Sequence, residues 1–239
     1  MRRAGRIVAG TIDRVLQAVE PGSTTLDLDR VAEAYIREQD AVPSFLGYRG
    51  FTGTICVSLN NEIVHGIPSR HRVLAEADLL SLDFGAIWEG FHADAAVTVF
   101  VGDQAPDADA ERLVKTTEAA LQAAIEKIGP GAHLSDIGNT IEAVATAEGL
   151  GVVREYGGHG IGRALHEDPF IQNWGAAGRG PTMRPGLVVA VEPMLNLGGD
   201  ETALLEDGWT VVTADGSLSA HFEHTIAVTD DGHEVLTAR

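Results

Sequence analysis

Apolar residues recur at intervals of three and four near the start of the chain, at Ile7, Val8, Ile12, Val15, Leu16 and Val19. Pro21-Gly22 stops the run, so the pattern predicts an amphipathic helix that ends there. The same spacing returns in Leu28, Val31, Ala32, Tyr35 and Ile36 and predicts a second helix. From Phe45 to about Val101 the pattern shortens to apolar runs punctuated by Gly, Asn and Pro, the texture of β-strands. A third helix is predicted over 107–128, with Leu113, Val114, Leu121, Ile125 and Ile128 facing inward and Gly129-Pro130-Gly131 as its terminator. Ser135 is expected to cap a fourth helix running to about Glu148, and the remainder is again β- and glycine-rich. The order is two helices, strands, two helices, strands.

That order points to a duplication. Glu20-Pro21-Gly22 followed by Asp27-Leu28 matches Gly129-Pro130-Gly131 followed by Asp136-Ile137, at a constant offset of 109. The same offset carries Glu33-Ala34 onto Glu142-Ala143 and Asp83 onto Glu192. Two His-x-x-Pro segments, His65 to Pro68 and His166 to Pro169, lie 101 residues apart. His92-Ala93-Asp94 resembles His221-Phe222-Glu223 after an insertion in the second half. One domain over 1–239 is expected, built from two similar halves of roughly 1–105 and 106–239 that face one another.

Four acids stand where acids are costly. Asp83 follows Leu79 to Leu82, and Glu192 follows Leu187 to Val191, runs that read as strands buried on both faces. Asp94 lies in Phe91 to Val97 and Glu223 in Phe222 to Ile226, with the same difficulty. Burying an ionised carboxylate costs several kcal/mol unless a cation or strong donors compensate it. Gly85 to Gly90 suits a hairpin turn that would set Asp83 and Asp94 across adjacent antiparallel strands. Any one such acid is satisfied by a salt bridge or a backbone hydrogen bond. Four in equivalent places of a duplicated chain are better explained by metal, and two divalent cations balance their charge. An imidazole donor is expected from Gly157-Gly158-His159-Gly160-Ile161-Gly162, whose glycines permit close backbone approach.

Competing motifs fail on their spacing. The glycine run lacks both the Lys-Ser/Thr ending of a phosphate loop and the G-x-G-x-x-G spacing. His166-Glu167 is not a zincin motif, because position 170 is Phe. Cys56 reads as a buried strand residue. His71, His133 and His233 read as solvated or locally hydrogen-bonded rings, whereas His92, His221 and His224 flank the acids closely enough to support them.

Composition narrows the partners. With 44% hydrophobic and 22% charged residues the chain is an ordinary globular protein. Seventeen basic against thirty-five acidic residues give a net charge of −18, which repels nucleic acid and anionic lipid and favours cations and amines. A single cysteine excludes an internal disulfide and a Cys-based zinc site and fits a reducing compartment. Met1-Arg2-Arg3 is followed by Asp13, Arg14 and Gln17 rather than an apolar core, and no apolar run nears the ~20 residues of a membrane helix. A cytoplasmic location is expected.

Asp83 with Asp94 eleven residues on, Gly158 to Gly162, Glu192-Pro193-Met194 and Glu223-His224-Thr225 resemble the ligand motifs of type I methionine aminopeptidases. The resemblance extends over nearly the whole chain, including Asn61 to Pro68, Val153 to Tyr156 and Asp207 to Val211. It implies the pita-bread α/β fold, two pseudo-symmetric halves of antiparallel sheet backed by helices. It also implies two divalent ions (Co, Mn, Fe or Zn), one chelated by Asp83, the other by His159 and Glu192, with Asp94 and Glu223 bridging. Water activated by the metals would be the nucleophile, with Glu192 as proton shuttle. His65 and His166 would hydrogen-bond the scissile peptide, and Tyr48, Phe51 and Trp209 would line the methionine pocket. Implied substrates are nascent polypeptide N-termini with a small second residue, met at the ribosome by a monomer of the short bacterial form. Val64, Gly158 and Leu165 depart from residues frequent in the family, which bears on pocket shape rather than on ligands. A proline-specific dipeptidase or aminopeptidase P shares the fold and ligand set but normally carries a large extra domain. A non-catalytic binding protein on this scaffold would have lost ligands, and all five are present.

Overall fold

Helix α1 spans Arg2–Leu16 and buries Ile7, Val8, Ile12 and Val15, the stripe its periodicity predicts. Helix α2, Thr25–Glu38, starts from a capping box in which Thr24 and Asp27 satisfy each other's backbone N–H groups. Helices α3 (Ala108–Ile125) and α4 (Ser135–Ala147) form the second pair. Ser135 does not cap α4. It is the first helical residue, Leu134 holds the cap position, and the Ser135 hydroxyl instead accepts from the Arg179 N–H at 2.7 Å. Asp136 takes over the work at that end, accepting from the N–H groups of His133 and Gly178. The computed structural model describes residues 1–102 and 104–239.

All strand pairings among the described residues are antiparallel. In the first half, Leu79–Trp88 is the central strand. It pairs along its whole length with Phe91–Phe100, and along its other edge with Ile55–Leu59 and Val42–Pro43. The hairpin turn is tighter than the sequence predicts. The strand continues through Gly85 to Trp88, and the turn is Glu89-Gly90, both at positive φ. Gly85 serves another purpose: a Cβ there would lie 2.6 Å from the Phe45 ring.

In the second half the order is His233–Val235, His224–Val228, Val188–Val191, Gly158–Gly160, Glu167–Ile171. Here the expectation of continuous strands is corrected. Val188–Val191 stops before Glu192-Pro193, and the chain re-enters a different, three-stranded sheet as Met194–Asn196. Its neighbour does the same, leaving the three-stranded sheet at His221, passing through Phe222-Glu223 and joining the five-stranded sheet at His224. Pro193 has no N–H to donate, so the ladder breaks there and both glutamates sit at the crossing.

The offset of 109 recurs in the backbone bonding. Gly22 N donates to Leu74 O and Leu74 N to Ser23 O, as Gly131 N does to Met183 O and Met183 N to Ala132 O. The isolated bridges Thr24–Val73 and His133–Thr182 obey the same offset. The halves meet where Glu223 N donates to Ala96 O at 2.9 Å and Ala96 N to Glu223 O at 3.3 Å. One apolar cluster runs through both, from Ala4 to Val228, between the helices and the sheets. The second-half insertion is the hairpin of Thr202–Leu204 and Val211–Thr213, which pairs with Glu62–Val64 of the first half.

Candidate active site

Asp83 and Asp94 lie diagonally on one face of the long hairpin, because Asp83 pairs with Ala96 and Asp94 with Gly85. Each carboxyl group acts on the ionisation of the other. Thr225 locks the second strand to the other half, its hydroxyl accepting from Asp94 N at 2.9 Å and donating to Asp94 O at 2.7 Å. Glu223 is brought beside Asp94 by these bonds together with its backbone pairing to Ala96. Glu192 lines the same cavity.

His159 comes from the short strand Gly158–Gly160, which lies against Ala190. A Cβ on Gly158 would stand 2.3 Å from the Ala190 carbonyl oxygen, so the missing side chain lets the backbone approach. His159 Nδ1 is 2.8 Å from the Gly160 carbonyl oxygen, which can only accept. The proton is thus on Nδ1, and the Nε2 lone pair points 3.6 Å from Glu192 Oε1.

Ten residues singled out in the sequence line one cavity of about 290 Å³: Tyr48, Phe51, His65, Asp83, Asp94, His159, His166, Glu192, Trp209 and Glu223. At its floor the acids lack protein partners, and Asp83 Oδ1, Asp94 Oδ1 and Glu223 Oε1 are buried without a hydrogen bond. Burial raises the Asp83 carboxyl to about 7. Burial, then Glu223 and Asp83, raises that of Asp94 well above the ordinary range. Glu192 and Glu223 are raised by burial and by the other acids. No arginine or lysine pairs with any of the four among the described residues. Orphaned anionic oxygens around a neutral imidazole fit divalent cations, and Asp94, His159 and Glu223 present donor atoms within 4.8 Å of one another.

The cavity walls come from both halves. His65 adopts φ +62, an uncommon conformation for a side-chain-bearing residue. Behind it Gly66 leaves no room for a Cβ, which would sit 2.1 Å from the Val57 carbonyl oxygen. The inserted hairpin brings Trp209 edge-on to Phe51, at 5.1 Å between ring centroids, and to His65 at 6.2 Å. Its approach is fixed by Asp207, which accepts from the N–H groups of Trp209 and Thr210 at 2.8 Å each. The His166 ring lies 4.2 Å from that of His159.

Two further residues stand at the site without a ligand or substrate role assigned to them from the sequence. Cys56 is buried as predicted, yet it faces Asp83 across the ladder and lines the cavity. His221 is also buried, with Nε2 lacking a hydrogen-bond partner at 3.8 Å from Glu192 Oε2 and 4.0 Å from Glu223 Oε2. Only cross-strand register reveals the first. The second was marked only by its nearness to Glu223. His224 is tied to Thr237 at 2.8 Å and His92 to Ser44 at 3.0 Å. His133 and His233 are bonded to carbonyls distant in the sequence, Gly180 O and Ile128 O.

Carboxylates and an imidazole gathered at the seam of a duplicated antiparallel α/β fold define a metal-dependent hydrolase. The model of metallopeptidase family M24 matches residues 1–230. Methionine aminopeptidase 1 of Mycobacterium tuberculosis is 50% identical over 243 residues, covering 99% of this chain and 91% of the relative. The crystal structure of methionine aminopeptidase from Thermotoga maritima superposes with a TM-score of 0.97 at 42% identity, covering 100% of this chain and 95% of that one. The Xaa-Pro dipeptidase of Bacillus anthracis shares the fold, with a TM-score of 0.77 at 23% identity, but this chain covers only 59% of its length. The chain belongs to metallopeptidase family M24, within its type I methionine aminopeptidases, and has the pita-bread fold.

Proposed function

We propose that Asp83, Asp94, His159, Glu192 and Glu223 hold two divalent cations, Asp83 serving one, His159 and Glu192 the other, with Asp94 and Glu223 shared. The reaction is the metal-dependent removal of an N-terminal methionine. The observation that carries the ligand assignment is the set of buried, unpartnered carboxylate oxygens. When bound, such ions polarise the scissile carbonyl and lower the pKa of water to near neutrality. Carboxylate and imidazole donors suit Mn, Fe, Co or Zn.

The chain's own groups complete the chemistry. Glu192, as the carboxylate, takes a proton from the attacking water and returns it to the leaving amine. His65 and His166 donate to the scissile peptide and to the oxyanion that develops from it. Both rings are kept neutral at working pH, burial bringing each to about 4. Phe51, Trp209 and the ring of Tyr48 enclose the methionine side chain, whose polarisable thioether suits aromatic walls. The substrates are nascent N-termini with a small second residue, met at the ribosome by a cytoplasmic monomer. Among the described residues no helix is long and apolar enough to cross a membrane.

The test is hydrolysis of Met-Ala-Ser and Ala-Pro peptides after chelation and stepwise return of Mn, Fe, Co and Zn. Restored cleavage of the methionyl peptide alone is the expected result. Cleavage of the prolyl peptide would support the dipeptidase reading, and activity untouched by chelation would refute the metal assignment.

A further inference from the structure

The Tyr48 hydroxyl oxygen lies 3.0 Å from Nδ1 of His166. The two rings are stacked, with centroids 5.4 Å apart and planes inclined by 24°. Tyr48 sits in a turn that bonds to itself: Tyr48 N donates to Phe45 O, Gly47 N to Phe51 O and Phe51 N to Tyr48 O. Gly47 and Arg49, on either side, adopt positive φ. The phenol is therefore presented to His166 by backbone geometry.

A neutral imidazole has one N–H donor and one bare acceptor nitrogen, and a hydrogen bond at one nitrogen decides the state of the other. Two arrangements fit a 3.0 Å contact. If Nδ1 carried the proton and donated to the phenol, Nε2 would be bare and could only repel an oxygen bearing negative charge. If the phenol donates, Nε2 carries the proton. The phenol is the stronger acid and the imidazole nitrogen the stronger base, which favours the second arrangement.

We propose that Tyr48 is a positioning residue whose hydroxyl donates to His166 Nδ1, fixing the His166 proton on Nε2 as the donor that meets the peptide oxygen. This rests on the role given to His166 above, and adds to the wall formed by the Tyr48 ring a task for its oxygen. Without the phenol both tautomers become accessible, and part of the population presents a lone pair where a donor is needed.

The experiment compares the holoenzyme with Tyr48→Phe and His166→Ala. It uses ¹⁵N-histidine NMR of the zinc-loaded proteins and kcat and KM on Met-Ala-Ser. His166→Ala identifies the His166 signals by their loss. The intact protein should show His166 as the Nε2–H tautomer, and Tyr48→Phe should shift those signals toward a tautomer mixture. Tyr48→Phe should also lower kcat about tenfold, the scale of one well-placed hydrogen bond, with KM within about twofold and metal content unchanged. An Nδ1–H tautomer in the intact protein would overturn the proposal whether or not Tyr48→Phe folds. So would an unchanged tautomer in Tyr48→Phe, or a raised KM with kcat intact, the mark of a wall and nothing more. If His166→Ala kept full kcat, the role of His166 itself would fail, while the tautomer measurement would still judge the Tyr48 contact.

Discussion

At the scale of single residues, the acids proposed as metal ligands are legible because they violate a rule. An acid inside an apolar run has to be compensated, and Asp83, Asp94, Glu192 and Glu223 lack cationic partners. Asp94→Asn is expected to cut turnover at least about a thousandfold, since it removes a shared ligand and with it several kcal/mol of charge stabilisation. Metal analysis should show the loss directly, and near-normal activity would remove Asp94 from the ligand set. His166→Ala should lower kcat by about a hundredfold to a thousandfold, as losing one oxyanion donor does, with metal content unchanged. Equal loss of metal would make His166 a ligand instead. Cys56 and His221 were less visible for a physical reason. A buried thiol, or a histidine two residues from an acid, has nothing unusual about it until strand register shows what stands opposite.

At the scale of elements, helices α1, α2 and α3 follow their apolar periodicity, and errors concentrate at ends. Ser135 has the chemistry of a cap, but Asp136 reaches two backbone N–H groups and Ser135 is drawn into the helix. The strands of the second half read as continuous because hydropathy does not register a change of sheet, although Pro193 was visible as a break in donors. The inserted hairpin was legible only as a gap in the repeat, and its task appears once Trp209 is seen against Phe51. Replacing Asp207 by Ala removes three hydrogen bonds that shape the hairpin's loop, those from Trp209 N, Thr210 N and the Thr210 hydroxyl. The expected result is a KM for methionyl peptides raised about tenfold with metal content unchanged, since a loosened pocket wall costs on the order of 1–3 kcal/mol of side-chain recognition. A KM unaltered by Asp207→Ala would mean that the pocket does not depend on the hairpin's shape.

At the scale of the whole molecule, the acid cluster makes stability depend on metal and pH together. The folded, metal-free chain holds protons on these acids that the unfolded chain has already released, from the ordinary carboxylate value of 3.8 up to about 7 for Asp83. The acids' contribution to stability then falls as pH rises through that window, by about 1.4 kcal/mol per pH unit for each such proton. The buried histidines act in the opposite sense: burial holds His65, His166 and His224 at about 4 and His221 at about 3, so below the ordinary histidine value of 6.5 they offset the acids, and the fall is unmasked only above it. Calorimetry after chelation should show a Tm that falls as pH rises above 6.5, where the histidines are neutral folded and unfolded alike, and saturating Mn or Co should remove or reverse the slope. A metal-free Tm that rises over the same range would contradict the clustering.

The meeting of Ala96 with Glu223 has a consequence for how the polypeptide could be divided. A break in the connection near position 105 would leave two carboxylate donors on one fragment and an imidazole with two carboxylates on the other. Neither piece alone would own a complete cage. Mixed with manganese, the two should reassociate and recover cleavage, the ions acting as the rivet between them.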